Sequence, residues 1–204
     1  MKNFNITHIP EYLSSKERFN SINEIKPTEY SKIVLRGDNK RVTHRYHRSY
    51  LNTPIYDSDT FNKIDKNYMF SGLDGKEIEE NLPEILQPYL DYINAYEDIK
   101  FNQVTVNWFD SGDNFIPLHT DCEYNMIKGS EIKIISLGSS RYFSISPIGD
   151  SVVYNYTVEN GSLLTMDNQF QKKYKHGIMP HPHTNSGPRI SISFRKYIDK
   201  NHTV

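Results

Sequence analysis

The spacing of hydrophobic positions changes character about halfway along the chain. In the first half the apolar residues follow a loose helical period. "SSKERFNSI" predicts a short helix, with Leu13 just ahead of it and Phe19 and Ile22 within it as the buried residues. Lys32 to Leu35 reads as a strand. "NLPEILQPYLDYINAY" predicts a second helix, with Pro83 tolerated in its first turn and Leu82, Ile85, Leu86, Tyr89, Leu90 and Ile93 on one broad face. Pro88 falls inside that pattern and predicts a kink or a break, because it lacks an N–H and its ring clashes with the preceding turn.

From Phe101 onward the period shortens to two. "FNQVTVNWF", "EIKIISLG", "RYFSISPI", "SVVYNYTV", "GSLLTM" and "RISISFRKYI" are short β-rich runs punctuated by Gly, Asn, Asp and Pro. The fold class is therefore mainly β with flanking helices, in an antiparallel sandwich or barrel. No internal repeat, low-complexity tract or clear linker interrupts the chain. With 204 residues and 36% hydrophobic content, one domain with one sizeable core is the expectation.

Charge and cysteine usage narrow the classes. The net charge is −1, so the molecule as a whole is not the strongly basic object that coats nucleic acid, and any such binding must be local. The one local concentration is the run to Tyr50, with Arg36, Lys40, Arg41, Arg45 and Arg48 interleaved by His44 and His47. Two readings stand for it, a solvated loop or a contact for phosphates. The same two stand for Lys172, Lys173 and Lys175. The single cysteine, Cys122, excludes an internal disulfide framework, and it reads as a passenger. No apolar run reaches the roughly 18 residues of a membrane span, and "MKNFNITHIPEY" lacks the core of a signal peptide, so a soluble, intracellular protein is expected. A monomer is the default state.

Candidate chemistry begins with "PLHTDCEY". In an extended segment residues i and i+2 share a face, so His119 and Asp121 can converge while Thr120 and Cys122 point away. A second histidine would complete a two-histidine, one-carboxylate triad, which holds non-haem Fe(II) and leaves coordination positions free. His176 in "KYKHGIMP" is one candidate. His181 and His183 in "HPHTNSG" are others, in a stretch whose prolines and glycine read as a surface loop. "RISISFR" alternates so that Arg189, Ser191, Ser193 and Arg195 share one face and Ile190, Ile192 and Phe194 the other. An exposed strand alternates too. An arginine at each end of a Ser-Ser row also suits an anion pocket inside a barrel, and Asn107 on another strand could add an amide donor.

Taken jointly, His119-x-Asp121, His176, Arg189-(x5)-Arg195 and Asn107 resemble the AlkB family of Fe(II)- and 2-oxoglutarate-dependent dioxygenases. "SLG" followed by "RYF", then "GSLLTM" and "HGI", agree with the family's texture, and "YMFSG" (68–72) is similar to its substrate-binding hairpin. The resemblance implies a double-stranded β-helix (jelly-roll) core over about 101–198, preceded by an N-terminal substrate-recognition extension over about 1–100. It implies that His119, Asp121 and His176 bind iron, and that Arg189, Asn107 and Ser191 contact 2-oxoglutarate. Arg195 would line the same pocket near the iron as part of the catalytic set. Phe70 would stack on a target base flanked by Tyr68, and Glu123 would contact the base edge. The sequence departs from the family at Phe109, where a tyrosine is common, so one hydroxyl is missing from the cosubstrate pocket.

The implied activity is oxidative demethylation of N-alkylated bases in DNA or RNA, with Fe(II) as cofactor and 2-oxoglutarate and O2 as cosubstrates. Its substrate would be single-stranded or carry a flipped base. Two alternatives stand beside it: a dioxygenase of the same fold acting on a protein or a small molecule, and a catalytically silent nucleic-acid-binding module.

Overall fold

The computed structural model describes residues 3–30, 32–34, 40–55, 78–79, 81–121, 126–181 and 186–199. Arg36, Tyr68, Phe70, Cys122, Glu123 and His183 lie outside them.

Two antiparallel sheets form the body. Their strands are β1 (Phe4–His8), β4 (Tyr46–Leu51), β5 (Ile78–Glu79), β6 (Gln103–Phe109), β7 (Ile116–His119), β8 (Ile132–Gly138), β9 (Arg141–Pro147), β10 (Tyr154–Val158), β11 (Ser162–Met166), β12 (Tyr174–Ile178) and β13 (Arg189–Arg195). A separate hairpin is made by β2 (Lys32–Val34) and β3 (Lys40–Val42). The larger sheet has the order β1-β11-β8-β13-β6-β4-β5, with only the β4–β5 pair parallel, and the smaller has the order β10-β9-β12-β7. From β6 to β13 the chain passes repeatedly between the two sheets, placing β6, β8, β11 and β13 in one and β7, β9, β10 and β12 in the other. That exchange is the double-stranded β-helix, or jelly roll. From the first hundred residues, β1, β4 and β5 add themselves to the larger sheet.

The larger sheet has two different faces. Its outer face carries Val104, Val106, Trp108, Ile135, Leu137, Ile190, Ile192 and Phe194, all buried under the helical layer. That layer is α1 (Lys16–Glu24) and α2 (Gln87–Asn94), which supply Ile22, Tyr89, Leu90 and Ile93. Each large apolar side chain removed from water here contributes roughly 1.5–3 kcal/mol. Directional bonds fix the helical layer: Trp108 Nε1 on β6 donates to Ile22 O of α1 at 3.2 Å, and Tyr89 Oη of α2 donates to Leu13 O, in the turn ahead of α1, at 2.6 Å. Ser15 caps α1 by accepting from Arg18 N. At Pro88 the helical run breaks as its spacing predicts. Glu84–Leu86 is a 3-10 turn, and α2 starts afresh with the proline in its first turn, where no N–H is needed.

Between the sheets the core is mixed. Phe109, Ile132, Ile134, Phe143, Ile145, Leu164, Met166, Phe170 and Ile178 form an apolar cluster at one side. The inner face of the larger sheet otherwise presents polar residues. Ser136, Ser191, Asn107 and His47 are aligned across β8, β13, β6 and β4, and all four are buried. Burying such a row is unfavourable unless it has partners, which marks it as the wall of a polar chamber.

Of the basic run to Tyr50, Arg36 and the side chains of Lys40 and Arg41 lie outside the description, and the last residues are built into the larger sheet. Residues 46–51 are strand β4, with His47 buried against Asn107 in register. Arg48 lies 3.5 Å from Glu79, and His44 stacks on Phe115 at 4.4 Å. Among the described residues, no helix is long and apolar enough to cross a membrane.

Candidate metal and cosubstrate centre

His119 is the last residue of β7, Asp121 follows two positions later, and His176 is the middle residue of β12. The two histidines are register partners across the β7–β12 ladder, with ring centroids 4.5 Å apart. Asp121 Oδ1 lies 3.3 Å from His119 Nε2 and 4.0 Å from His176 Nε2. One ligand atom from each residue falls within 4.8 Å of the others, and this is the only such group among the described residues. His181 is not part of it; its backbone N–H donates to Gly112 O at 2.8 Å and its ring meets Tyr142 edge-on.

The surroundings hold each group in the state a metal needs. His119 Nδ1 lies 2.9 Å from Pro117 O, so the tautomer that donates there leaves the Nε2 lone pair facing Asp121. Burial pushes the His176 imidazolium down to about 3, against an opposing pull from Asp121, so the ring is neutral at ordinary pH. Burial alone would raise the Asp121 carboxyl, but Arg195 and the two histidines outweigh it and hold the group well below the usual carboxylate range. Arg195 Nη2 donates to Asp121 Oδ2 at 2.9 Å, which leaves Oδ1 toward the histidines. Phe143 stacks on His176 at 5.5 Å and Phe170 meets it edge-on, fixing the ring plane.

At the other end of β13, Arg189 is 1% exposed. Its Nε donates to Ser136 Oγ at 3.0 Å, and its Nη1 has no partner. Burial, together with Arg141, pushes this guanidinium down to about 9, which still leaves it cationic at neutral pH. Phe109 lies against it at 5.0 Å. A buried cation with an unpaired donor and no carboxylate among the described residues is the signature of a receptor for an anion. Ser191, two residues along β13 from Arg189, is the register neighbour of Asn107 on β6. Arg45 Nε donates to Asn107 Oδ1 at 2.7 Å, so the amide is turned with its NH2 end free to donate.

The described site residues thus form one connected group: His119, Asp121 and His176 cluster, Arg195 bonds Asp121, and Arg189, Ser191 and Asn107 follow along the β13–β6 ladder. Three others that shape it carry no motif. Gln171, in α3 (Phe170–Lys173), accepts from Asp121 N at 3.0 Å. Gln103 Oε1 lies 3.4 Å from Arg195 Nη1. Arg45 stands in the sequence only as one member of a basic run. A pairwise register would have exposed Gln103, which sits opposite Arg195; nothing in the sequence points to Gln171.

A model of the 2OG-Fe(II) oxygenase superfamily matches residues 5–195. The chain belongs to that superfamily. The chain is similar to AlkB-type proteins: it is 27% identical over 122 residues to the human DNA oxidative demethylase ALKBH2, covering 56% of this chain and 46% of that protein. It is also 29% identical over 98 residues to the uncharacterized protein R406 of Acanthamoeba polyphaga mimivirus, covering 48% of this chain and 51% of R406. The chain therefore spans about half the length of these curated relatives. In three dimensions it resembles the solved structure of OsALKBH1, with a TM-score of 0.54 and 14% identity over 94% of this chain and 96% of that one, a likeness of fold. Members of the superfamily use Fe(II), 2-oxoglutarate and O2, and the donor set fits them: two imidazoles and a carboxylate for the metal, and an unpaired buried guanidinium for an anion.

Proposed function

We propose that this oxygenase demethylates N-alkylated bases in DNA or RNA, with His119, Asp121 and His176 as the Fe(II) ligands. The observation that carries the reading is the triad together with a buried Arg189 donor that has no partner among the described residues, at one end of the strand whose other end, Arg195, bonds Asp121. Arg189 would hold the distal carboxylate of 2-oxoglutarate, and Asn107 and Ser191 would donate to it along its length. Bound iron supplies the oxidising chemistry that hydroxylates an N-methyl group, after which formaldehyde departs.

The chain's own residues position and shield. Arg195 keeps Asp121 ionised and aims Oδ1 at the histidines. Buried His176, with the rings of Phe143 and Phe170 against it, excludes water from one side of the centre. The His119 side chain is 38% exposed, so the opening for substrate lies on its side. A base must leave its stack to reach that opening, which requires an aromatic platform. Phe70 and Tyr68 are proposed for that platform and Glu123 for the base edge. Support for a nucleic-acid substrate comes from the activity in the name of the human relative. Arg45 and Arg48 are committed to Asn107 and Glu79, so phosphate contacts fall to other basic residues, such as the exposed Lys172 and Lys175.

The test is formaldehyde release. Protein loaded anaerobically with Fe(II) and 2-oxoglutarate is exposed to air with oligonucleotides carrying 1-methyladenine, 3-methylcytosine or N6-methyladenine, beside His176→Ala. Release that vanishes in the variant is the expected result. Succinate without formaldehyde would redirect the search to a protein or small-molecule substrate, and neither product would end the enzymatic reading.

A further inference from the structure

Two of the three proposed ligands, His119 and His176, face each other across a sparsely paired ladder. β12 meets β9 through five register pairs but meets β7 through only two, with an irregularity between them. β7 contains Pro117, which has no N–H to give, and β12 contains Gly177. The ladder alone leaves the spacing of His119 and His176 weakly determined.

We propose that Arg141 is a positioning residue that locks these two ligand strands together; the inference rests on the metal reading above. Arg141 opens β9 and is 3% exposed. Its Nη1 donates to Ser111 O at 3.1 Å, and its Nη2 reaches Gly112 O at 3.3 Å, Asn114 O at 2.9 Å and Met179 O at 2.9 Å. The first three carbonyls belong to the turn that leads into β7, and the fourth follows the last residue of β12. One planar guanidinium therefore spans the start of one ligand strand and the end of the other.

The turn can transmit that hold because it is internally braced. Asn114 accepts from the backbone N–H of Asp110 and Ser111, and donates to His44 O and to Tyr30 Oη. His181 N donating to Gly112 O adds a second tie from the segment beyond β12. Lysine cannot replace the fork, since it offers a single compact charge rather than donors fixed in two directions.

Three variants and two readouts test this. Arg141→Lys removes the fork and keeps the charge. Gly112→Ala keeps Arg141 but drives a Cβ into the His181 carbonyl, parting the same two segments from the other side. Tyr89→Phe removes a hydrogen bond on the helical face and sets what plain destabilisation does. Co(II) titration with its visible absorption reports the metal site, and amide hydrogen exchange of the metal-free chain reports the strands. Arg141→Lys and Gly112→Ala should weaken Co(II) binding roughly 10- to 100-fold and lose protection over 115–119 and 174–181. Tyr89→Phe should do neither. Wild-type Co(II) affinity and spectrum in Arg141→Lys, or protection lost evenly over the whole chain, would overturn the lock while leaving the metal reading intact. Should Arg141→Lys fail to fold, Gly112→Ala carries the same comparison. A wild-type chain that takes up no Co(II) would remove the metal reading and the lock with it.

Discussion

Arg189 has its Nε on Ser136 and, among the described residues, no partner for its Nη1. A buried cation without a counter-charge destabilises the fold that contains it. Replacing it by an apolar residue of similar length should therefore help the empty protein and ruin the loaded one. For Arg189→Met we expect the urea midpoint without cosubstrate to match or exceed wild type. Affinity for 2-oxoglutarate should fall by about 2–5 kcal/mol, the range for removing one partner of a buried charge pair. Thermal shift with and without 2-oxoglutarate checks both halves, and a drop in both would mean that Arg189 is structural. Arg45 makes a subtler claim. Because it fixes the Asn107 amide through Oδ1, Arg45→Leu should raise the KM for 2-oxoglutarate several-fold while leaving Co(II) affinity unchanged. Equal losses in the two quantities would put Arg45 in the scaffold instead.

The elements that bring the ligands together are the ones least visible in the sequence. "RISISFR" was legible because its polar and apolar faces are both buried, one in the chamber and one under the helices, so the alternation is unbroken. β7 and β12 are short, carry a proline and a glycine, and show no such pattern. β4 was hidden for the opposite reason: the chamber it faces is polar, so its inward residues His47 and Ser49 look like those of a loop. Gly177 shows how tightly β12 and β7 nonetheless approach. A Cβ there would sit 2.5 Å from Ile116 O and 2.9 Å from Pro117 O, both backbone atoms that cannot swing aside. Gly177→Ala should accordingly cost about 1–3 kcal/mol, the range for overpacking a tight site, and weaken Co(II) binding at least tenfold. Urea unfolding and metal titration would measure the two effects, and intact metal binding would show that β7 can shift without moving His119.

At the scale of the whole molecule, the outer face of the larger sheet and the chamber are stabilised by different physics. Helices on the outer face rely on apolar burial, which changes little with pH. Ionised groups add a titratable part. Glu97, just beyond α2, bridges Lys196 and Lys133 at 2.5 Å each, and both ammonium groups lie over the Phe101 ring. Burial opposes ionisation of Glu97, but its hydrogen bonds to Lys133 and Lys196 and their charges prevail, holding its carboxyl below 4.5. A carboxylate whose folded pKa is depressed stabilises the fold above its unfolded pKa, and that contribution disappears as pH falls through the folded value. Asp121 in the metal-free protein behaves in the same sense, so the wild-type acid limb contains both. Glu97→Gln separates them. At pH 7 the variant should be less stable by about 1 kcal/mol, the size of a partly exposed ion pair. Its urea midpoint should then fall less steeply than wild type between pH 5 and pH 3, so that the two curves converge. Parallel curves over that interval would mean that the bridge to Lys133 and Lys196 contributes nothing to the acid limb and that other carboxylates, Asp121 among them, set it.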